Sequence, residues 1–480
     1  MSFNSWDFAI FFPAAVILYF VLPARIRTVW LLIASYYFYM SWNAGYAVLI
    51  AASTLITWVC ALPSGAAAKK IALAAALVSN LSILAVFKYA DFFLGSLEDA
   101  LAAFGFTVHT GRLDLLLPVG ISFYTFQALS YTIDVYRGDT KPEKNLIKYA
   151  LFVSFFPQLV AGPIERSGRL MKQIEEVPLK TRKELLDCDR ICSGLLLMLW
   201  GLFMKLCIAD RISPFVKNVY SGYREMGFIE IAVAAVLFSL QIYCDFGGYT
   251  SIARGAARVM GFELMQNFRQ PYFAQSIRDF WRRWHISLTT WFTDYVYIPL
   301  GGNRKGKGVR ARNILIVFLL SGLWHGASWN YVVWGLIHGV LQIAETLFAR
   351  PAADGQKRSA AGRVIRIILT FAVTAFAWIF FAADSCAHAA GIVGRCFAAV
   401  RTKPLDSLGL TVEAWIALGI CVLILAAVDI AREKGRDIMA FYRSLAAPLQ
   451  AVAVVFLLTV VVMLGAYGGT HDTSFIYFRF

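Results

Sequence analysis

The sequence predicts an all-α polytopic membrane protein with about 11–12 transmembrane helices, and three observations carry that expectation. Hydrophobic residues fill 59% of the 480 positions and charged residues only 16%, against about 25% charged in an ordinary globular domain. The apolar residues gather in long runs instead of recurring at amphipathic periods. The basic residues lie between those runs, at Arg25 and Arg27, at Lys69 and Lys70, and in 137–190, 254–312, 350–366 and 432–443. A soluble chain of this length needs a polar shell around each of its domains, and the charge for such shells is missing. Soluble enzyme, disordered chain and disulfide scaffold are thereby excluded.

Each span needs about 20 mainly apolar residues. In chain order the candidates are 8–22, 29–43, 46–62, 71–90, 113–133, 191–209, 228–246, 313–325, 328–348, 363–382, 412–430 and 449–466. The first basic residue, Arg25, follows the first apolar run, so the amino terminus is expected outside and Arg25 and Arg27 inside. Alternating from there, every basic cluster falls on the cytoplasmic side and Glu98–Asp99 falls outside. The runs 29–43 and 313–325 are short, and 149–162 ends in Pro157, Gly162 and Pro163, so all three are candidates for broken or re-entrant helices. With no repeat and no low-complexity linker, 1–480 reads as a single integral-membrane domain. Within it, 247–312 has little spanning character and reads as a cytoplasmic or interfacial segment. Ser276 with Asp279 three residues on has the capping pattern, and 276–293 is expected to form an amphipathic helix. Phe280, Trp284, Trp291 and Tyr295 fall near one face of it, with Arg278, Arg282 and His285 toward another. A basic, Trp-rich helix of this kind belongs in the membrane interface or packs just beneath it.

The net charge of +15 suggests nucleic acid only in a soluble protein; between apolar runs it marks the cytoplasmic face and its anionic lipids. The eight cysteines are scattered without Cys/His ligand spacing, so neither zinc nor a disulfide framework is expected. The stretch Gly301–Gly308 has the G-x-x-x-x-G-K outline, but Gly308 stands where a phosphate loop needs Ser or Thr, and no strand precedes it. As a glycine-rich basic loop it remains suited to the phosphates of coenzyme A or to an acidic carrier protein, and positive-inside bias explains it equally.

Ionisable residues inside a membrane are costly and serve as functional hypotheses by default. His325 lies between two apolar runs, flanked by Gly322 and Gly326, which permit close approach of a backbone or ligand. Trp324 and Trp329 give it an amphipathic rim, and Ser328 and Asn330 add polar groups at the break. His285 repeats the Trp-His pair, after Trp284 and near Arg282. His338 shares a helix face with Gln342 and Glu345 and reads as an interhelical bonding residue. Asp245 and Gln241, four residues apart on one face, could orient a histidine or a substrate hydroxyl, or Asp245 could cap the following turn. A buried histidine suits general-base work near neutral pH. A transport pathway lined by the same polar residues is the alternative that composition leaves open.

At these residues the chain resembles the membrane-bound O-acyltransferase (MBOAT) family, most of all its bacterial alginate O-acetyltransferase branch. The stretches that carry the likeness are Phe11-Phe12-Pro13, Ser35-Tyr36-Tyr37-Phe38-Tyr39, Pro118 to Gln127, Ala161-Gly162-Pro163-Ile164, Tyr243 to Tyr249, Asp279 to His285 and Trp324-His325-Gly326. The resemblance implies an MBOAT-like ring of helices around a thin central region in a bacterial cytoplasmic membrane. His325 then takes the family's catalytic position and His285 that of its second histidine. A further implication is a thioester donor, acetyl-CoA or another, arriving from the cytoplasm, with no permanently bound cofactor and with an acyl carrier protein as a further source. The acceptor is expected to be an extracellular polysaccharide such as alginate-like exopolysaccharide or peptidoglycan, reached with a separate extracytoplasmic acetyltransferase partner. D-alanyl transfer to teichoic acid is the enzyme alternative, and a polymer transporter or flippase is the alternative of another class.

Overall fold

In a computed structural model of the protein, residues 1–160, 162–348, 359–398, 402–467 and 475–476 are described, and every regular element among them is helical. Ala161, His471 and most of the basic run at 350–366 lie outside the described residues. Seven helices among the described residues are long and apolar enough to cross a membrane, and two shorter apolar helices, Trp6–Val21 and Tyr46–Ala61, accompany them. The chain divides into two compact units interleaved in sequence: 1–195 with 253–265, and 196–252 with 266–480.

The first unit begins with α1 (Trp6–Val21), whose Ser5 hydroxyl accepts from the Phe8 amide at 3.2 Å. α2 (Ala24–Met40) follows directly after Pro23. The run 29–43 is therefore part of a continuous helix that starts earlier, because Arg27 is buried and its guanidinium spends itself on the carbonyls of Leu22 and Lys180, at 3.0 and 2.7 Å. α3 (Tyr46–Ala61) and α4 (Ala66–Leu84) pack together, and α4 runs on through a π-helical turn into α5 (Ala90–Ala103). α6 spans Ile121–Arg137, shifted from the expected 113–133 because Gly111 to Pro118 is not helical. Its Gln127 donates to the Phe152 carbonyl at the end of α7 (Leu146–Ser154), and Gln158 donates to the same oxygen at 2.7 Å. The break expected within 149–162 falls at Phe155, between α7 and the short helix Phe156–Leu159. Backbone groups freed at such a break inside a membrane must find partners in protein, and the two glutamine amides supply them. The amphipathic α8 (Ser167–Glu176) buries Leu170, Met171 and Ile174.

The chain enters the second unit along α9 (Cys188–Leu202), which continues through a π-helical segment, Phe203–Ala209, into α10 (Asp210–Ser221). The 32-residue α11 (Phe228–Val259) runs well past the expected end at 246. Two short helices then follow, α12 (Ile277–Arg283) and α13 (Ile286–Phe292). α14 (Gly306–His325) is a full 20-residue helix rather than the short run 313–325, and it pairs with α15 (Trp329–Phe348) as a hairpin. α16 (Ala360–Ala382), α17 (Cys386–Arg395), α18 (Val412–Glu433), α19 (Ile438–Ser444) and α20 (Ala447–Leu464) complete it.

Glycine makes the α14–α15 hairpin possible. A Cβ at Gly322 would lie 2.2 Å from the Tyr331 carbonyl oxygen, and one at Gly335 would lie 2.2 Å from that of Phe318. The backbones touch where any side chain would hold them apart, as at small-residue contacts between membrane helices. Replacing Gly335 by Val should therefore force the hairpin open. We expect a loss of about 1–3 kcal/mol or more, read as a lower thermal midpoint of the detergent-solubilised protein. An unchanged midpoint would show that the backbone contact is dispensable.

Candidate functional site

The expected amphipathic helix over 276–293 is two helices, and the reason lies at His285. Ser276 does cap α12, accepting from the Asp279 amide at 3.1 Å. The helix then stops at Arg283, and His285 takes a left-handed backbone with φ of +43°. For a residue with a side chain this conformation is uncommon and costly, so something must hold it. Asn267, fully buried, does so from outside the helix: its carbonyl accepts from the Ile286 amide at 2.9 Å and its side-chain oxygen from the Ser287 amide at 3.3 Å. On the other side of the break the Arg269 amide donates to the Arg283 carbonyl at 2.9 Å. Phe280, Trp284 and Trp291 are buried in protein, which fits the packed-helix alternative for this segment.

The break turns the His285 ring toward His325, the last residue of α14. Their ring centroids are 6.2 Å apart, and both residues are buried, at 0% and 3% exposure. Trp324 packs against both, 5.9 Å from His285 and 5.0 Å from His325. Trp334 and Phe381 meet His325 edge-on at 5.1 and 5.3 Å, and Phe246 meets His285 at 4.7 Å. Trp284 does not face this pair in the same way; it stacks on Phe280 and packs against Phe268 and Trp378. The centre is thus a pair of imidazoles in an aromatic box.

A cavity of about 330 Å³ is walled by the neighbouring parts of α12, α13 and α14; neither His285 nor His325 lines it. Arg278 and Arg282 of α12, Leu288, Thr289 and Phe292 of α13, and Arg310, Phe318 and Ser321 of α14 contribute to its wall. Ser321 is one turn before His325 on α14, and Leu288 is three residues past His285, so the wall reaches both histidine-bearing segments. Three guanidiniums at one cavity favour an anionic or phosphorylated ligand. His338 makes the interhelical bond expected of it, accepting on Nδ1 from the Trp281 indole at 3.3 Å. Glu345 on the same face accepts from the Arg278 amide at 3.0 Å.

Two expected supporting residues, Asp245 and Asn330, have other work. Asp245 orients neither histidine: it pairs with Lys205 at 2.7 Å and accepts from the Ile476 amide at 2.7 Å. Gln241 makes no hydrogen bond to Asp245 among the described residues. Asn330 donates to the carbonyls of Phe380 and Ala383, at 3.2 and 2.6 Å, closing the carboxyl end of α16 instead of facing the site. Other residues matter that the sequence did not single out. Arg283 forks to Glu433 of α18 at 2.7 and 3.1 Å while also pairing with Asp279 at 3.0 Å, and the Tyr243 hydroxyl donates to Asp429 of the same helix at 2.9 Å. Acids near the end of a remote apolar span were the only signal. Among the described residues no cluster of His, Cys, Asp and Glu is suited to a metal ion, and all eight cysteines are free.

A polytopic helical protein with two buried histidines, and an arginine-lined cavity on the segments that carry them, suits a membrane enzyme, and the comparisons with known proteins define its class. The model of the membrane-bound O-acyltransferase family matches residues 142–383, which include both histidines and the cavity. The chain belongs to that family and is an O-acyltransferase. It is 38% identical over 391 residues to a probable alginate O-acetylase AlgI of Azotobacter vinelandii, covering 80% of this chain and 76% of that protein. A peptidoglycan O-acetyltransferase of Helicobacter pylori is 33% identical over 408 residues, covering 78% and 75%. A teichoic acid D-alanyltransferase of Bacillus subtilis is 30% identical over 244 residues, covering 49% and 61%.

The geometry separates the scaffold role of Asn330 from the chemistry. Asn330→Ala should lower stability by about 1–3 kcal/mol, because the buried Ala383 carbonyl and the half-buried Phe380 carbonyl lose their donor, while turnover per folded molecule stays near the native value. Thermal unfolding combined with an activity assay checks this; a fall in turnover at unchanged stability would return Asn330 to the site.

Proposed function

We propose that this protein takes an acetyl group from a cytoplasmic thioester and passes it across the membrane for O-acetylation of an extracellular polysaccharide. The observation that carries the reading is the pairing of His285 with His325 at 6.2 Å, with an arginine-lined cavity on the same helical segments. The names of the relatives at 33–38% identity, alginate O-acetylase and peptidoglycan O-acetyltransferase, support acetyl and polysaccharide.

In this reading Arg278, Arg282 and Arg310 hold the phosphates of acetyl-CoA or of a similar thioester, and the aromatic wall excludes water from the acyl carbon. His325 acts as general base. One of its ring nitrogens takes the proton of the accepting hydroxyl as that oxygen attacks the thioester carbonyl. The C–O bond forms, the C–S bond breaks, and the thiolate leaves with the proton His325 has taken. His285, fixed by Asn267, positions the thioester end of the donor. The amino terminus lies outside, the basic loops lie inside a bacterial cytoplasmic membrane, and a separate extracytoplasmic acetyltransferase completes delivery to the polymer.

D-alanyl transfer from a carrier protein is the second reading, favoured by the likeness to teichoic acid D-alanyltransferases; that likeness covers 49% of this chain against 80% for the alginate relative. Two experiments test the main reading. His325→Ala and His325→Gln should insert normally and lose about 10²-fold or more of polymer acylation, measured by mass analysis of surface glycans; undiminished acylation would overturn the assignment. Gln at Arg278, Arg282 or Arg310 should raise KM for the thioester about tenfold while leaving kcat near native. An effect on kcat alone would remove the arginines from donor binding.

A further inference from the structure

The second unit buries Lys205 together with Asp210 and Asp245. Lys205 lies in the π-helical segment Phe203–Ala209 with 1% of its side chain exposed, 2.8 Å from Asp210 and 2.7 Å from Asp245. Both aspartates are 4% exposed at the side chain. Glycine permits this: a Cβ on Gly201 would meet the Gly248 carbonyl oxygen at 2.5 Å and one on Gly248 would meet that of Gly201 at 2.7 Å, so α9 and α11 touch backbone to backbone just before the ion cluster. Buried charges are expensive even when paired, and a well-packed apolar replacement is often as stable. Cohesion alone is therefore a poor reason to keep three of them inside a membrane protein.

What the cluster holds is the far end of the chain. Asp245 uses one oxygen for Lys205 and the other, Oδ2, for the amide of Ile476 at 2.7 Å. Phe475 is fully buried and stacks on Tyr249 at 4.3 Å with a 27° interplanar angle. It also lies 5.8 Å from Phe246, whose ring meets His285 edge-on at 4.7 Å. The π-helical segment takes part as well: the Leu206 carbonyl accepts from the Ala466 amide at 2.9 Å, just after α20 ends. Irregular helical turns of this type recur at functional sites. The chain end is thus stitched to the same two helices that carry the ion cluster, one ring away from His285.

We infer that Lys205 and Asp245 form a latch that seats Phe475 and Ile476 as the wall behind Phe246, and that this wall sets the position of the His285 ring. Lys205 and Asp245 are positioning residues; neither touches the acyl group. The effect on turnover rests on the acyl-transfer reading above, whereas the latch itself does not. Asp245→Ala is the informative variant because it leaves Lys205 paired with Asp210. Ile476→Pro removes the amide donor, together with the buried Ile476 side chain and the freedom of φ there, and leaves Lys205, Asp210 and Asp245 in place.

Hydrogen exchange of the full-length protein in lipid nanodiscs, read by mass spectrometry, tests the latch directly. In Asp245→Ala the carboxyl-terminal peptide containing Ile476 should exchange about tenfold faster or more, with peptides from Gly306–Phe348 unchanged as the control for folding. Acyl transfer then tests the role. Asp245→Ala and Ile476→Pro should each lower kcat with KM for the thioester unchanged, and the double variant should be no slower than the slower single, since both cut one connection. Unchanged exchange at the carboxyl-terminal peptide in Asp245→Ala would overturn the latch. Single effects that multiply in the double variant, or that fall on KM, would overturn its role in placing His285. Absence of acyl transfer by the native protein would instead count against the proposed function, leaving the exchange result to stand.

Discussion

The arrangement of the second unit depends on how the backbone is broken at His285. A helix running through 276–293 would satisfy its own amides and place the histidine on its outer surface. The left-handed turn at His285 strands those amides, and Asn267 takes over the next two through its carbonyl and its side chain. Inside a membrane such freed groups have no water to fall back on. The strain at one residue and the hydrogen bonds of another are therefore parts of one device, whose product is an imidazole ring turned inward to His325.

Around that device the protein places rigid supports on several elements. The α14–α15 hairpin fixes His325 through glycine contacts that admit no side chain. Arg283, two residues before His285, is held from α12 by Asp279 and from α18 by Glu433, so a helix beyond the family match braces the break. Trp334, Phe381 and Phe246 then fill the space around the two rings. Sites of this kind work when the reacting groups are held by neighbours whose own positions are fixed. The arginines of the cavity lie on α12 and α14, the segments that adjoin or carry the histidines.

Much of the fold was legible in the sequence because spans announce themselves by local composition: each of the twelve apolar runs overlaps a helix, and seven of the described helices are long and apolar enough to cross a membrane. The glycines beside His325 were readable for the same reason, since close approach is a property of the residue itself. His285 was found as a candidate, but the break that makes it useful was not. Nothing within 276–293 is a helix breaker, and the decisive partner, Asn267, lies well before it in sequence. Asp245 was singled out, but not for the partners it has. Its partners, Lys205 and Ile476, stand 40 residues before it and 231 residues after it, and no spacing rule connects residues across such separations. Asn330 looked like part of the site because it stands next to a histidine at a helix break, whereas its amide serves the end of another helix. Non-local contacts are what remained hidden.

The central claim is that His285 and His325 act together on a thioester. The most direct measurement is release of free thiol from a short acyl thioester by the purified protein, comparing the native chain with His285→Ala, His325→Ala and the double variant. Residues that act as one unit give strongly non-additive losses, so the double variant should release thiol no more slowly than His325→Ala alone. Thiol release at the native rate in His325→Ala, or two losses that simply multiply, would contradict the account.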